Sequence, residues 1–229
     1  MKIVANLICQ NGAHEILRSI ESVAPFVDEF YVMDGGSTDG TLDILNRYKD
    51  TYGLTIFEHP YEKMDSQRNE LLKHTPKDCW VVSIDQDEKL NFLAMTQMRE
   101  FLGSISPKLY TDEDRKSPLC IGIPFINFVH KFPRRDRTWM SRVTEKIFYN
   151  DRNLHFNRWY HTYLVYKDGD TENSMISAPS GWAVLHYAFL DKKRVDEAKD
   201  DIKSGKRDYK LKDWNTKKKD SDVLDIVLL

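Results

Sequence analysis

The sequence predicts an α/β fold: a mainly parallel central sheet with helices on both faces and a smaller extension after it. Three observations carry this. Short β-branched apolar runs alternate four times with amphipathic helical patterns over residues 1–90, the arrangement that gives right-handed crossovers and parallel pairing. Two of those runs stop abruptly in acids, at Asp34 and at Asp85-Gln86-Asp87-Glu88, where open α/β sheets hold ligands. After Asn91 the alternation breaks into short strand-like segments joined by polar loops, which suggests extra or antiparallel strands.

In order, Ile3 to Cys9 reads as a buried strand, and Gln10-Asn11-Gly12-Ala13 as a turn into a helix with Ile16, Leu17, Ile20 and Val23 inward, stopped by Pro25. Phe30 to Met33 is the second strand. The glycine-rich stretch from Asp34 to Thr41 leads from it into a helix with Leu42, Leu45 and Tyr48 inward and Gly53 just past its end. Leu54 to Phe57 is the third strand, and Asp65 is the expected N-cap of the helix carrying Arg68, Asn69, Leu71 and Leu72. Thr75-Pro76 stops that helix before the strand that begins at Trp80. A helix through Phe92, Met95, Met98 and Leu102 follows, then the apolar run Ile121 to Val129. Strand-like segments lie around Lys146–Tyr149, Tyr163–Tyr166 and Trp182–Tyr187, and residues 191 to 205 read as a closing helix before a charged tail.

A chain of 229 residues, 41% hydrophobic, can bury the core of one elaborated domain, expected over 1–229 with a ligand half to about residue 90, a second half to about 190 and a C-terminal helix and tail. Basic and acidic residues nearly cancel at net charge −2, so there is no global pull toward nucleic acid or anionic membrane. Cys9, Cys79 and Cys120 are odd in number and lack metal spacing, which suits buried thiols in a reducing, cytoplasmic setting. No apolar stretch approaches the roughly 20 residues of a membrane span, and the N-terminus has no signal-peptide pattern.

Asp85 and Asp87, two apart at a strand end, can converge on one hard cation such as Mg²⁺ or Mn²⁺, though acids are also common in turns and first helical turns. Between strand and helix, the Asp34–Thr41 glycines let backbone approach a ligand, and Asp34 can accept hydrogen bonds from a ribose or base. A capped tight turn explains the same residues. Neither the P-loop pattern nor Gly-x-Gly-x-x-Gly is present.

Taken together, these stretches resemble a known family. Asn11 and Glu15 after the first strand, Val27 to Thr41, Ser66-Gln67-Arg68-Asn69 and Asp85-Gln86-Asp87-Glu88 are similar, in order and spacing, to the nucleotide half of family 2 glycosyltransferases of the GT-A fold. The resemblance is closest to the bacterial lipopolysaccharide-core type branch and covers residues 1 to about 90. It implies sugar transfer from a nucleotide-sugar donor, UDP-linked first among them, to a glycan or other acceptor. Asp85 and Asp87 would then be the Asp-x-Asp motif around Mn²⁺ or Mg²⁺, with Asn11, Asp34, Arg68 and Asp85 on the donor. His186, in Val184-Leu185-His186-Tyr187, resembles the late histidine that completes the metal site in many members.

Two departures qualify it. Many members carry a second acid where this chain has Gly35, and the nearest branch has a His-Glu pair where this chain has His161-Thr162. Thr162 is no general base at neutral pH; the first candidate is Glu145, which follows the basic stretch Lys131–Trp139 and precedes Ile147-Phe148-Tyr149, with His161 its rival, Asp136 and Asp191 behind, and a mechanism without a protein base as the remaining alternative. The competing reading is a non-catalytic sugar- or nucleotide-binding module that kept the fold and lost the base. A nucleotidyltransferase fits less well, because the basic glycine-rich loop near the N-terminus is missing.

Overall fold

A computed structural model describes residues 1–105, 118–129, 132–134, 144–151, 154–157, 163–166 and 174–189. The expected closing helix and charged tail, the His161-Thr162 pair, Asp136 and Asp191 lie outside them.

The central strand is β1 (Ile3–Cys9), every residue of which is buried. Seven consecutive buried positions have no polar face, as expected of a strand covered on both sides. β2 (Glu29–Asp34) pairs with it in parallel on one side and β4 (Cys79–Asp85) on the other, while β3 (Leu54–Glu58) extends the sheet beyond β2. The crossovers are the helices α1 (Ile16–Val23), α2 (Thr41–Tyr52) and α3 (Met64–His74), followed by α4 (Phe92–Ser104) after β4. The order β4-β1-β2-β3 places a switch in chain direction beside β1, so the loops after β1 and β4 diverge there and leave a crevice. In register, Cys9 lies opposite Asp34 and Ile8 opposite Asp85, so the two acidic strand ends flank the end of β1.

Local details differ from the sequence reading for identifiable reasons. In α1 it is Ser19, not Leu17, that joins Ile16, Ile20 and Val23 in the core, because its hydroxyl donates to the carbonyl of Gln86 at 2.7 Å. α3 begins two residues earlier than expected: Lys63 holds the N-cap position, and Asp65 sits inside the first turn, where a carboxylate still complements the helix dipole. Between Asp85 and α4 the chain forms a tight turn and a short strand, β5 (Glu88–Leu90), before Asn91 caps α4 by accepting from Ala94 N at 3.1 Å.

The run from Ile121 to Val129 is not one strand. Pro124, which has no N–H for a ladder, divides it into β6 (Leu119–Ile123) and β7 (Phe125–Val129), which enter different sheets. β6 joins the large sheet together with β9 (Thr144–Asn150), antiparallel to both β6 and β4, and β12 (Ser174–Ser177), giving the order β12-β6-β9-β4-β1-β2-β3. β7 joins a second sheet, β5-β13-β7-β8, with β13 (Val184–Phe189) and the edge strand β8 (Phe132–Arg134). β10 (Leu154–Asn157) and β11 (Tyr163–Tyr166) form a separate hairpin. Asn69 on α3 holds that hairpin as a strand neighbour would, accepting from Phe156 N at 2.7 Å and donating to Phe156 O at 2.9 Å. The main core runs from Leu7 and Phe30 through the fully buried Trp80 to Met98 and Trp182, whose indole N–H donates to Gln97 at 3.0 Å, while Val4 lies in a second cluster with Val81 and Phe148.

Candidate active site at the carboxyl edge of the sheet

The loops after β1 and β2 are laced together. Asn11 Oδ1 accepts from Thr38 N at 2.8 Å, Asn11 N donates to Ser37 Oγ at 2.9 Å, Gly12 N to Thr41 Oγ1 at 2.9 Å and Ala13 N to Asp39 at 3.1 Å. Asp34 lies beneath this lacing with no exposed surface. One of its oxygens accepts from Gly36 N at 2.9 Å and Ser37 N at 2.8 Å; the other accepts from the Ser37 hydroxyl and the Cys9 thiol. As placed, the carboxylate shapes the loop that the sequence assigned to the nucleoside, and its bonds run inward.

The acids after β4 divide between two roles. Both oxygens of Asp85 accept from Nη2 of Arg68, at 2.6 and 2.8 Å, and Lys146 Nζ stands 3.1 Å from the second. Lys146 also reaches Glu88 Oε2 at 2.6 Å, and Glu88 in turn accepts from Asp85 N at 3.0 Å. Burial opposes ionisation of Asp85, but Arg68 and Lys146 outweigh it and hold the carboxyl well below the usual range. Glu88 goes the other way, raised by burial and by the Asp85 charge. Arg68 is buried on α3, with its guanidinium 5.7 Å from the centre of the Phe156 ring.

Asp87 faces His186, Oδ2 to Nε2 at 3.6 Å. Burial disfavours the imidazolium, and the hydrogen bond and charge of Asp87 override that and raise the His186 pKa. Asp87, Glu88 and His186 bring one ligand atom each within 4.8 Å of one another, the group among the described residues with the composition to hold a metal ion. Sheet register creates it: β5 runs antiparallel to β13 with Glu88 opposite His186, and Tyr187 N donates to Asp87 O at 2.8 Å. Asn91 steadies the approach to β13, since its side chain accepts from Ala183 N at 3.1 Å and donates to Gly181 O at 2.8 Å. A carboxylate and an imidazole suit Mn²⁺, which accepts both oxygen and nitrogen, and an oxygen-rich set also suits Mg²⁺. Glu88 adds charge nearby, although Lys146 already grips it.

Asn11, Asp34, Arg68, Asp85, Asp87 and His186 therefore gather at one edge. Glu145 is placed on β9 next to Lys146 with its backbone opposite Gly122, and its side chain falls outside the described residues, as does His161. Three residues of the site were not assigned to it from sequence: Glu88 of the candidate metal group, Lys146 and Gln86. Lys146 has a faint signal, a lysine flanking an apolar strand, but its target depends on β9 pairing with β4. Gln86, between the two aspartates, is buried and accepts from Gln10 N at 2.8 Å, bridging the crevice between the β1 and β4 loops.

Residues 7–106 match the family model "Glycosyl transferase family 2". An "Uncharacterized glycosyltransferase" of Rickettsia bellii (strain RML369-C) is 26% identical over 221 residues, covering 90% of this chain and 69% of the relative. One of Rickettsia felis (strain ATCC VR-1525 / URRWXCal2) is 34% identical over 90 residues, 39% of this chain and 30% of the relative. Among solved structures, S. aureus TarS 1-349 superposes with a TM-score of 0.53 at 16% identity, covering 82% of this chain and 61% of that one. The same protein in complex with UDP-GlcNAc gives 0.52 at 17% identity, over 81% and 58%. The chain thus spans about three-fifths of TarS 1-349 and under a third of the second curated relative. Over residues 7–106 the chain is thus similar in sequence to family 2 glycosyltransferases, and its fold is the GT-A fold of its solved neighbours.

Proposed function

We propose that the protein moves a sugar from a nucleoside-diphosphate donor to a glycan or glycoconjugate acceptor, with Mn²⁺ or Mg²⁺ held by Asp87 and His186. The observation that carries the reading is the meeting of Asp87, Glu88 and His186 beside the Arg68–Asp85 pair, at the same sheet edge as the Asp34 loop. A bound divalent ion would supply positive charge to the diphosphate as its bond to the sugar breaks. The chain's own part is to orient and neutralise. Arg68 presents a guanidinium fixed by Asp85, Lys146 balances Asp85 and Glu88, and the Asn11–Thr38 lacing shapes the floor of the nucleoside side.

UDP-sugars are the first donors to try, because the fold neighbour TarS was crystallised with UDP-GlcNAc. The lipopolysaccharide-core type acceptor remains part of this proposal through the motifs alone. Cys9, Cys79 and Cys120 are buried thiols, which supports a reducing, cytoplasmic setting; no described helix is long and apolar enough to cross a membrane. For the base we retain Glu145, with His161 second. Glu145→Gln should leave donor binding intact and lower transfer by the roughly 10²–10⁴-fold that a general base contributes.

The deciding experiment is a donor panel with Mn²⁺ and Mg²⁺, read as release of free nucleoside diphosphate. Turnover that vanishes with chelator supports the proposal. Tight nucleotide binding with no turnover on any donor would favour the binding-module reading, which the missing acid at Thr162 motivates.

A further inference from the structure

The loop after β3 closes over the loop after β2. His59 N donates to Asp34 O at 2.9 Å and Tyr61 N to Gly35 O at 3.1 Å, while Gln67 on α3 donates to His59 O at 2.6 Å and fastens the loop from behind. The approach is so tight that a Cβ built on Gly35 would lie 2.8 Å from Tyr61 Cβ and 3.2 Å from Cys9 O. No side chain fits at position 35 while Tyr61 keeps its place. Tyr61 itself is 38% exposed. An aromatic side chain thus stands at the carboxyl edge of β2 and β3, against Gly35 of the Asp34 loop.

We infer that Tyr61 is the platform on which the donor's nucleobase stacks, doing by its ring face what a side chain at position 35 has no room to do. The inference rests on the nucleotide-sugar reading above. With the diphosphate end at Arg68 and Asp87, the nucleoside extends across β1 toward β2 and β3. Strands about 4.8 Å apart put the β2 loop roughly 10 Å from the β4 acids, the scale of a nucleoside and its phosphates. At that end the carboxylate present, Asp34, has its bonds turned inward, whereas an exposed aromatic side chain offers a surface to any base. Its backbone N–H is pinned to Gly35 and its loop to α3, so little freedom is lost when a base arrives.

The test is calorimetry on the full chain with UDP, CDP, GDP and ADP, and with inorganic pyrophosphate plus Mn²⁺, for wild type, Tyr61→Phe, Tyr61→Leu and Tyr61→Ala. Losing one base–aromatic stack should weaken the preferred nucleotide roughly 5- to 150-fold in the Leu and Ala variants. Tyr61→Phe should bind within a few-fold of wild type, and pyrophosphate should bind all four proteins alike. The Leu variant keeps side-chain bulk against Gly35, so it separates a lost ring face from a loosened loop. Equal nucleotide affinity in wild type and Tyr61→Leu overturns the inference while leaving the donor reading intact. A wild type that binds none of the four nucleotides overturns the donor reading itself, and the inference with it.

Discussion

Gln86 lies so close against Gly12 that a methyl group on the glycine would sit 2.5 Å from Gln86 Oε1. The same oxygen accepts from Gln10 N, so a single amide locks the loop after β4 to the loop after β1. Gly12→Ala is expected to push Gln86 aside and destabilise the protein by about 1–3 kcal/mol, as overpacking does. Gln86→Ala should cost a similar amount by leaving Gln10 N without its acceptor. The double variant should be less destabilised than the sum of the two, a coupling that denaturant melts in a double-mutant cycle read directly.

Asp87 and Asp85 should separate in their effects. Asp87→Asn is expected to weaken Mn²⁺ binding by at least the roughly 10–100-fold that even an outer partner of a metal ligand costs. Asp85→Asn should instead act through Arg68 and Lys146, lowering stability more than metal affinity. Titrating Mn²⁺ against both variants, alongside their thermal melts, distinguishes the two. Equal losses of metal affinity would place Asp85 among the ligands.

Lys146→Met removes the cation that lies between Asp85 and Glu88 and leaves Glu88, only 3% exposed, beside another carboxylate. Breaking a buried ion pair from one side costs about 3–5 kcal/mol, and a loss of that order is expected in urea unfolding. Adding Glu88→Gln to Lys146→Met should recover part of it.

Asp28 provides a pH test away from the site. Its carboxylate accepts from Ile3 N at 2.8 Å and from Arg99 at 2.9 Å, and although burial pushes its pKa up, these two partners bring it below the ordinary value. A depressed carboxyl contributes stability that is fully present above its unfolded pKa, near 3.9, and is lost as pH falls through the folded value. Asp28→Asn should therefore cost under about 1 kcal/mol at pH 7, since Asp28 and Arg99 are both exposed, and almost nothing at the acid end.

The parts of the site that lie in one strand and the loop behind it were legible from residue order. Asp34 and Asp85 end apolar runs, and the alternation of strand and helix was enough to bring them to one edge. The parts that depend on pairing between distant strands were not. Lys146 reaches Asp85 only because β9 runs beside β4, and Glu88 joins the candidate metal group only because β5 turns back against β13. Pro124 marked a break that hydrophobicity alone smoothed over, since the residues on both sides of it are equally apolar. Asp34 illustrates a different limit: sequence gave its position, but its inward hydrogen bonds follow from the fold of Gly36 and Ser37.

The register that sets His186 opposite Glu88 also fixes when the site can come into being. Roughly a hundred residues separate the two along the chain, and closing so long a loop is among the slower steps of folding. As the polypeptide leaves the ribosome, the acids after β4 emerge and can fold into the sheet edge well before the histidine exists. The candidate metal group of Asp87, Glu88 and His186 is therefore complete only once β13 has been made and has paired with β5.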